Sequence, residues 1–484
     1  MNIMKTLRIP LIIAMVAVAG RALDAGAQTE TNLHSFVGPP SDGANARTRL
    51  VQGNDGNFYG TTFNGGTGNS GTVFRISPSG SYTSLYSFVG SPTDGAHPGG
   101  WLAQGSDSNF YGITFAGGST NLGTVFRVSP SGSETNLYSF KGFPIDGQQP
   151  TAGLVLGNDG NFYGTTSSGG TFSNGTVFRI SASGSYTNLY SFKGAPTDGL
   201  QPEGGLVLGS DGNFYGATFF GGTSTNCGAV GCGTVFRISP SGSETNLFSF
   251  GNYTNDGAVA DSPLVQGSDG NLYGTTFDGG ASTNCGATGC GIVFRINPSG
   301  SGETNLHSFG GFPTDGSQVF SGVMQGSDGN FYGTALAGGT FSNGMVFRIS
   351  PSGSYTNLYS FKGFPNDGGQ PLGGLVQGSD GNFYVATEFG GANNQGAIFE
   401  LIFPLSSPAN QISAINKAGT NILLSIPSVA GETYQLQFSS SMKPTNWLNV
   451  AGVSMTNCIG GLMTLTNFGG ALAPQRFYRF DITP

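Results

Sequence analysis

Aligned on a recurring Asn-Phe-Tyr phrase, one position of this chain reads Arg47, Gly99, Thr151, Glu203, Asp261, Phe320 and Leu372. Two residues further on, only Arg49 and Trp101 are large. Such unlike side chains at one repeated position can form a binding site. A tryptophan stacks on a sugar ring while arginine and carboxylates hydrogen-bond to its hydroxyls. Glu203 and Asp261 could instead act as acid and base on a polysaccharide. His97 is the one histidine expected to face the same place. The plain alternative is that these side chains plug a channel or stand in solvent.

The cysteines carry a second kind of chemistry. Cys227/Cys232 and Cys285/Cys290 lie in equivalent insertions of two neighbouring repeats. Two Cys-x4-Cys segments could in principle hold a four-cysteine zinc ion. In an exported chain, two local disulfides are the expected outcome. Cys458 is then left over, and a buried free thiol is expected there.

Other features suggest structure. Arg75, Arg127, Arg179, Arg237, Arg295 and Arg348 each follow a phenylalanine, with Glu400 in the last copy. One per repeat suggests an ion pair to the aspartate of each Asp-Gly segment; an anion-binding ring is the alternative. His34 and His307 stand where other copies have Tyr or Phe, which implies edge-strand packing. The Asp-Gly-Asn segments lack the further oxygen ligands of a calcium loop. No nucleophile–base pair, histidine cluster or phosphate loop is present. No catalytic residue, metal or cofactor is therefore assigned.

These residues need a frame, and the repeat supplies it. The phrase begins at Asn57, Asn109, Asn161, Asn213, Asn271, Asn330 and Asn382, in steps of 52, 52, 52, 58, 59 and 52 residues. Six extra residues around each Cys-x4-Cys, and Gly302, account for the longer steps. Each unit reads as four strands; in the third copy these are Gly153–Leu156, Phe162–Thr166, Thr176–Ser181 and Tyr186–Phe192. Asp-Gly and Ser-Gly between them are hairpin turns. Seven four-stranded meanders predict a seven-bladed β-propeller, an all-β fold. A solenoid would carry atypical polar caps at its ends. Here the last copy stops after its third strand, Ala397–Phe403, and the missing fourth stands at the N-terminus as residues 31–36. The propeller then spans residues 28–404, its last blade shared between the chain ends, which removes two open edges.

A glycine recurs in the second strand at Gly60, Gly112, Gly164, Gly216, Gly274 and Gly333, with Val385 last. Close backbone approach between neighbouring sheets is the expected reason. Phe178 and Phe192 would fill the space between blades. Because strand direction alternates, Asp-Gly and Ser-Gly turns share one face. The double-glycine loops, the insertions and the connections between blades share the other. Variable loops on a repeated scaffold carry function, and the candidate mouth lies there.

The unit Gly-Ser-Asp-Gly-Asn-Phe-Tyr-Gly-Thr-Thr, followed by Gly-Gly and Gly-Thr-Val-Phe-Arg-Ile, resembles the GloVer tandem repeat of exported bacterial proteins. The resemblance covers all seven copies, implies export and names no activity. Similarity to NHL and kelch propeller repeats is looser. Residues 405–484 lose the period after a Ser406-Ser407-Pro408 linker. Alternating runs at Ile422–Ile426, Tyr434–Phe438 and Phe477–Ile482 predict a small β-sandwich-like module.

Lys5, Arg8, the apolar run Ile9–Ala19 and Ala25-Gly26-Ala27 read as a signal peptide over residues 1–27. No later run reaches membrane-spanning length. The full chain carries net charge −8, and the segment after the signal −10. That acidity argues against nucleic acid as a partner. Only 9% of residues are charged and 85 are glycine, yet 38 Phe and 17 Tyr supply a core, unlike a disordered chain. The expectation is a secreted or cell-surface monomer that binds an extracellular carbohydrate or protein partner without catalysis. A polysaccharide-acting propeller enzyme and a purely structural or adhesion component are the alternatives.

Overall fold

The Asp-Gly-Asn-Phe-Tyr phrase folds because its aspartate has three donors within four residues. In the third blade, Asp159 accepts the Asn161 backbone N–H at 3.1 Å, the Asn161 amide at 2.7 Å and the Tyr163 hydroxyl at 2.9 Å. The same tyrosine–aspartate bond recurs in all seven blades. This local clamp turns the chain back on itself and starts the hairpin.

The computed structural model describes residues 29–251 and 256–403, together with six strands between 414 and 483. Each blade is an antiparallel meander; the third pairs Val155–Leu156, Phe162–Thr166, Thr176–Ile180 and Tyr186–Ser191 in that order. The innermost strand is shorter than Gly153–Leu156. Gly153 lies beneath the Trp101 ring and the Leu154 carbonyl accepts its indole N–H, so neither extends the ladder. Short two-stranded ribbons, such as Gly147–Gln148 against Ser168–Gly169, tie the blade connection to the double-glycine loop.

Two sets of aromatic contacts hold neighbouring blades together. The phrase tyrosine of one blade meets the phrase phenylalanine of the next at 3.9–4.4 Å between centroids, from Tyr59–Phe110 round to Tyr384–Phe58. Leu272 replaces the phenylalanine opposite Tyr215. Further out, Phe192 meets Phe236 at 5.1 Å and Phe140 meets Phe178 at 5.3 Å. All of these rings are buried, as the sequence led us to expect of Phe178 and Phe192.

The recurrent glycine works differently from expectation. It makes room for a ring of its own blade rather than for a neighbouring sheet. A Cβ on Gly164 would stand 2.7 Å from Phe178 Cζ and 2.8 Å from Leu154 Cδ2. Phe178 is its direct cross-strand partner. The seventh blade shows the consequence of filling that space. With Val385 opposite Phe399, the Phe361–Phe399 separation grows to 6.1 Å, against 5.0–5.5 Å at the other seams. We therefore expect Gly164→Val to lower stability by roughly 1–3 kcal/mol, the usual penalty for overpacking. Chemical denaturation checks this, and an unchanged midpoint would show the pocket to be slack.

The chain ends close the ring. Thr29–Ser35 pairs antiparallel with Ala397–Ile402, from Thr29 opposite Ile402 to Ser35 opposite Ala397. The closing strand begins two residues earlier than the repeat suggested, because the third strand runs on to Ile402 and offers it partners. Phe36 is fully buried, and its N–H bonds to the Gly396 carbonyl at 3.0 Å.

Beyond the propeller lie two three-stranded antiparallel sheets. One orders Ala414–Ala418, Asn421–Ser428 and Gly461–Asn467; the other orders Leu448–Met455, Thr433–Ser439 and Phe477–Thr483. Three of the six were anticipated from alternation. Leu424 and Leu465 of one sheet and Leu436 and Val450 of the other are buried. The signal peptide, the Ser406-Ser407-Pro408 linker and Cys458 lie outside the described residues.

Candidate functional site

The mouth is built on one unusual backbone turn, repeated seven times. Asn45, His97, Gln149, Gln201, Val259, Gln318 and Gln370 all have φ between 54° and 62°. That region disfavours side chains, and a β-branched valine most of all. Tertiary hydrogen bonds hold it. Each of these residues donates its N–H to a carbonyl in the loop of the preceding blade, as Gln201 does to Asn174 at 2.9 Å. In six blades its own carbonyl accepts the N–H of a residue just beyond the end of the second strand. Two residues after this turn comes the position that varies in chemistry.

The fixed turns bring six of the seven predicted residues to one cavity of about 530 Å³. Arg47, Arg49, Trp101, Glu203, Asp261 and Phe320 line it, with Phe63, Phe115, Leu336 and Glu388 among the others. His97 does not line it. Its side chain turns back into the wall, with Nδ1 3.0 Å from the Phe63 carbonyl and its ring 4.8 Å from that of Phe63. Its place on the φ-positive turn, rather than at the variable position, explains the difference.

Glu388 was missed, although the sequence carried a signal. It occupies the position of Phe63, Phe115, Ser167, Phe219, Phe277 and Leu336, and is the one charge in that series. Arg47 Nη2 and Nε contact Glu388 Oε1 at 2.7 and 2.9 Å, and its guanidinium carbon lies 4.3 Å from the Phe63 centroid. This pair joins the first and seventh blades across the closing seam.

Trp101 lies flat on the wall. A Cβ on Gly153 would meet its ring at 2.4 Å and one on Gly205 at 2.7 Å, so glycine at both equivalent positions is what admits the indole. Its N–H donates to the Leu154 carbonyl at 3.2 Å, which leaves the rest of the ring to line the cavity. Arg49 and Trp101 also line a second cavity of about 130 Å³ further along the innermost strands. Glu203 and Asp261, on adjacent blades, both line the cavity and interact electrostatically. Burial, then the charge of Glu203, pushes Asp261 well above the usual carboxylate range; burial also raises Glu203. The pair holds a proton at pH values where isolated carboxyls have lost theirs.

Two stretches, residues 22–230 and 219–407, match the Gloeobacter/Verrucomicrobia repeat. The chain belongs to that family. No curated protein matches the sequence at a significant level. Among solved structures, the extracellular domain of the hybrid two component system BT3049 from B. thetaiotaomicron has a TM-score of 0.50 at 10% identity, covering 91% of this chain. The chain spans 57% of that protein's length. An oligogalacturonate lyase in complex with manganese gives 0.48 at 11% identity, covering 78% of this chain and 97% of that one. A fungal alcohol oxidase of the AA5 family in complex with copper gives 0.46 at 13% identity, covering 92% and 95%. At such identity the likeness is one of fold.

In this Gloeobacter/Verrucomicrobia repeat propeller, Cys227–Cys232 and Cys285–Cys290 are disulfides, not zinc ligands. The Cys232 and Cys290 carbonyls accept the Val259 and Gln318 N–H groups of the mouth turns, the role that Asn174 plays for Gln201. The staples therefore anchor the mouth frame where the loops are longest. The repeat arginines correct another expectation. Arg75, Arg127, Arg179, Arg237 and Arg295 interact with the phrase tyrosines, whose hydroxyls donate to the turn aspartates. His34 and His307 do more than pack an edge. Each bonds to an aspartate, Asp42 or Asp315, at 3.0 Å and stacks at 3.7 Å on Tyr82 or Tyr355 of the next blade.

Proposed function

We propose that this propeller is an exported, non-catalytic binding protein whose channel mouth takes an extracellular glycan or polymer. The observation that carries the reading is the convergence of Trp101, Arg49, Glu203 and Asp261 on one cavity of about 530 Å³. Its size is in the range of small-molecule sites, and it combines aromatic walls with a few polar groups. The two disulfides and the family's repeat support export. Among the described residues no helix is long and apolar enough to cross a membrane.

The carboxyl geometry favours binding over cleavage. Glycosidases hold their two carboxyls about 5–9.5 Å apart, on opposite sides of the scissile bond. Glu203 and Asp261 instead come from adjacent blades, line the same cavity and interact with each other rather than standing apart on opposite walls. Such a pair presents hydroxyl-recognising oxygens on one side of the cavity.

The test is binding of the purified protein to a panel of soluble glycans and insoluble polysaccharides, with product release assayed in the same wells. Selective binding without turnover is expected. Trp101→Ala should weaken it about 10-fold, the loss that follows from removing one aromatic stack. Turnover of a bound polymer would overturn the non-catalytic reading, and unchanged affinity in Trp101→Ala would remove the mouth as the site.

A further inference from the structure

One charge in the mouth cavity has no counterion. Arg47 is matched by Glu388, and Glu203 and Asp261 hold each other. Arg49 lines both cavities and makes no hydrogen bond or ion pair with any described residue. Burial lowers its guanidinium from the ordinary arginine value, so it stands partly desolvated and unpaired. Keeping such a cation is costly. Nothing in the blade requires it, since the equivalent residues are Trp101, Gly153, Gly205, Pro263, Gly322 and Gly374.

The cavity is also polar from side to side. Arg49 belongs to the first blade, whereas Glu203 and Asp261 belong to the fourth and fifth, across a ring of seven. One wall thus offers a free guanidinium fork. The other offers two neighbouring carboxyls that hold a proton, able both to donate and to accept hydrogen bonds. Trp101, from the second blade, supplies an apolar surface between them.

We infer that the mouth selects an acidic sugar, with the ligand carboxylate on Arg49 and its hydroxyls on Glu203 and Asp261. This deepens the glycan reading and rests on it. Guanidinium and carboxylate pair through two parallel N–H···O bonds, the geometry for which arginine is better suited than lysine. A neutral sugar would leave Arg49 as it is now, desolvated without a partner.

Calorimetric titration of the full chain with glucuronate-containing oligosaccharides and with neutral glucose oligosaccharides of equal length tests this. The acidic set should bind roughly 10- to 100-fold tighter, as expected of a charge-assisted pair. Arg49→Gln should abolish the preference for the acidic set, and Arg49→Lys should retain part of it. Arg49→Gln should also melt at or above the wild-type temperature, because it removes an unpaired charge and no native contact. Equal affinity for both sets, a preference that survives Arg49→Gln, or a lower melting temperature would overturn the inference and leave the glycan reading in place. Failure of the wild type to bind any sugar would remove both.

Discussion

Deleting residues 28–37 is expected to leave an aggregating, cooperatively destabilised chain. The deletion uncovers the whole third strand Ala397–Ile402, an apolar edge ready to pair with another copy. It also opens the seam between the seventh and first blades. That seam loses Phe36 against Phe74 at 5.5 Å and His34 stacked on Tyr82, together with the His34–Asp42 bond. Phe36→Ala alone should cost about 3–5 kcal/mol, as full truncation of a buried aromatic does. Domain stability is typically about 5–15 kcal/mol, so loss of the entire strand exceeds what the fold can absorb. Size-exclusion chromatography and thermal melting of both variants decide the matter. A monomeric deletion variant with wild-type melting would show that the ring does not depend on its closing strand.

The second large effect is an inverted pH dependence, with greater stability in mild acid than in mild base. Four seams bring a glutamate at the start of an outer strand beside an aspartate: Glu30 by Asp367, Glu134 by Asp94, Glu244 by Asp198 and Glu303 by Asp256. Burial first, and the neighbouring aspartate second in three of them, pushes each glutamate up to about 7 from 4.5; Tyr359 partly offsets this at Glu30. One oxygen each of Glu134, Glu244 and Glu303 is buried without a hydrogen-bond partner. A raised carboxyl binds its proton more tightly folded than unfolded. Its contribution is therefore complete below pH 4.5 and is lost as pH rises through about 7.

Asp42 and Asp315 run the other way. Burial alone would raise them, but hydrogen bonds from His34 and Tyr82, and from His307 and Tyr355, hold them below the usual range. Their contribution is lost as pH falls below about 4, which places the optimum between the two windows. The glutamates keep some contact with solvent, so screening reduces each to about 1 kcal/mol. The wild type should melt lower at pH 8 than at pH 5, and E134Q/E244Q/E303Q should flatten that slope. Equal melting at both pH values, or an unaltered slope in the triple variant, would refute the assignment.

What could be read from the sequence was whatever repeats in kind. The period, the turn chemistry, the displaced fourth strand and the paired cysteines all follow from residue type and spacing, which a seven-fold repeat displays seven times over. The variable position was legible for the complementary reason, since Arg47, Gly99, Thr151, Glu203, Asp261, Phe320 and Leu372 all differ within a repeat that is otherwise nearly uniform. The rest depends on partners distant in the chain. The positive φ of Val259 runs against its own preference and is imposed by the Cys232 carbonyl of the preceding blade. Glu388 reaches Arg47 only after the ring closes, across 341 residues. The recurrent glycine was visible, but whether it admits a neighbouring backbone or its own Phe178 depends on which face the ring takes.

The pairing of Thr29–Ser35 with Ala397–Ile402 also sets an order in time. The first strand to leave the ribosome is the last that can find its partner, because more than 360 residues must follow before Ile402 exists. Contacts so remote in sequence form late. This topology keeps the final lock open until the last blade has arrived. Completion of the fold thereby certifies that the chain is full length through its seventh repeat, and a product that stops short would keep an unpaired end.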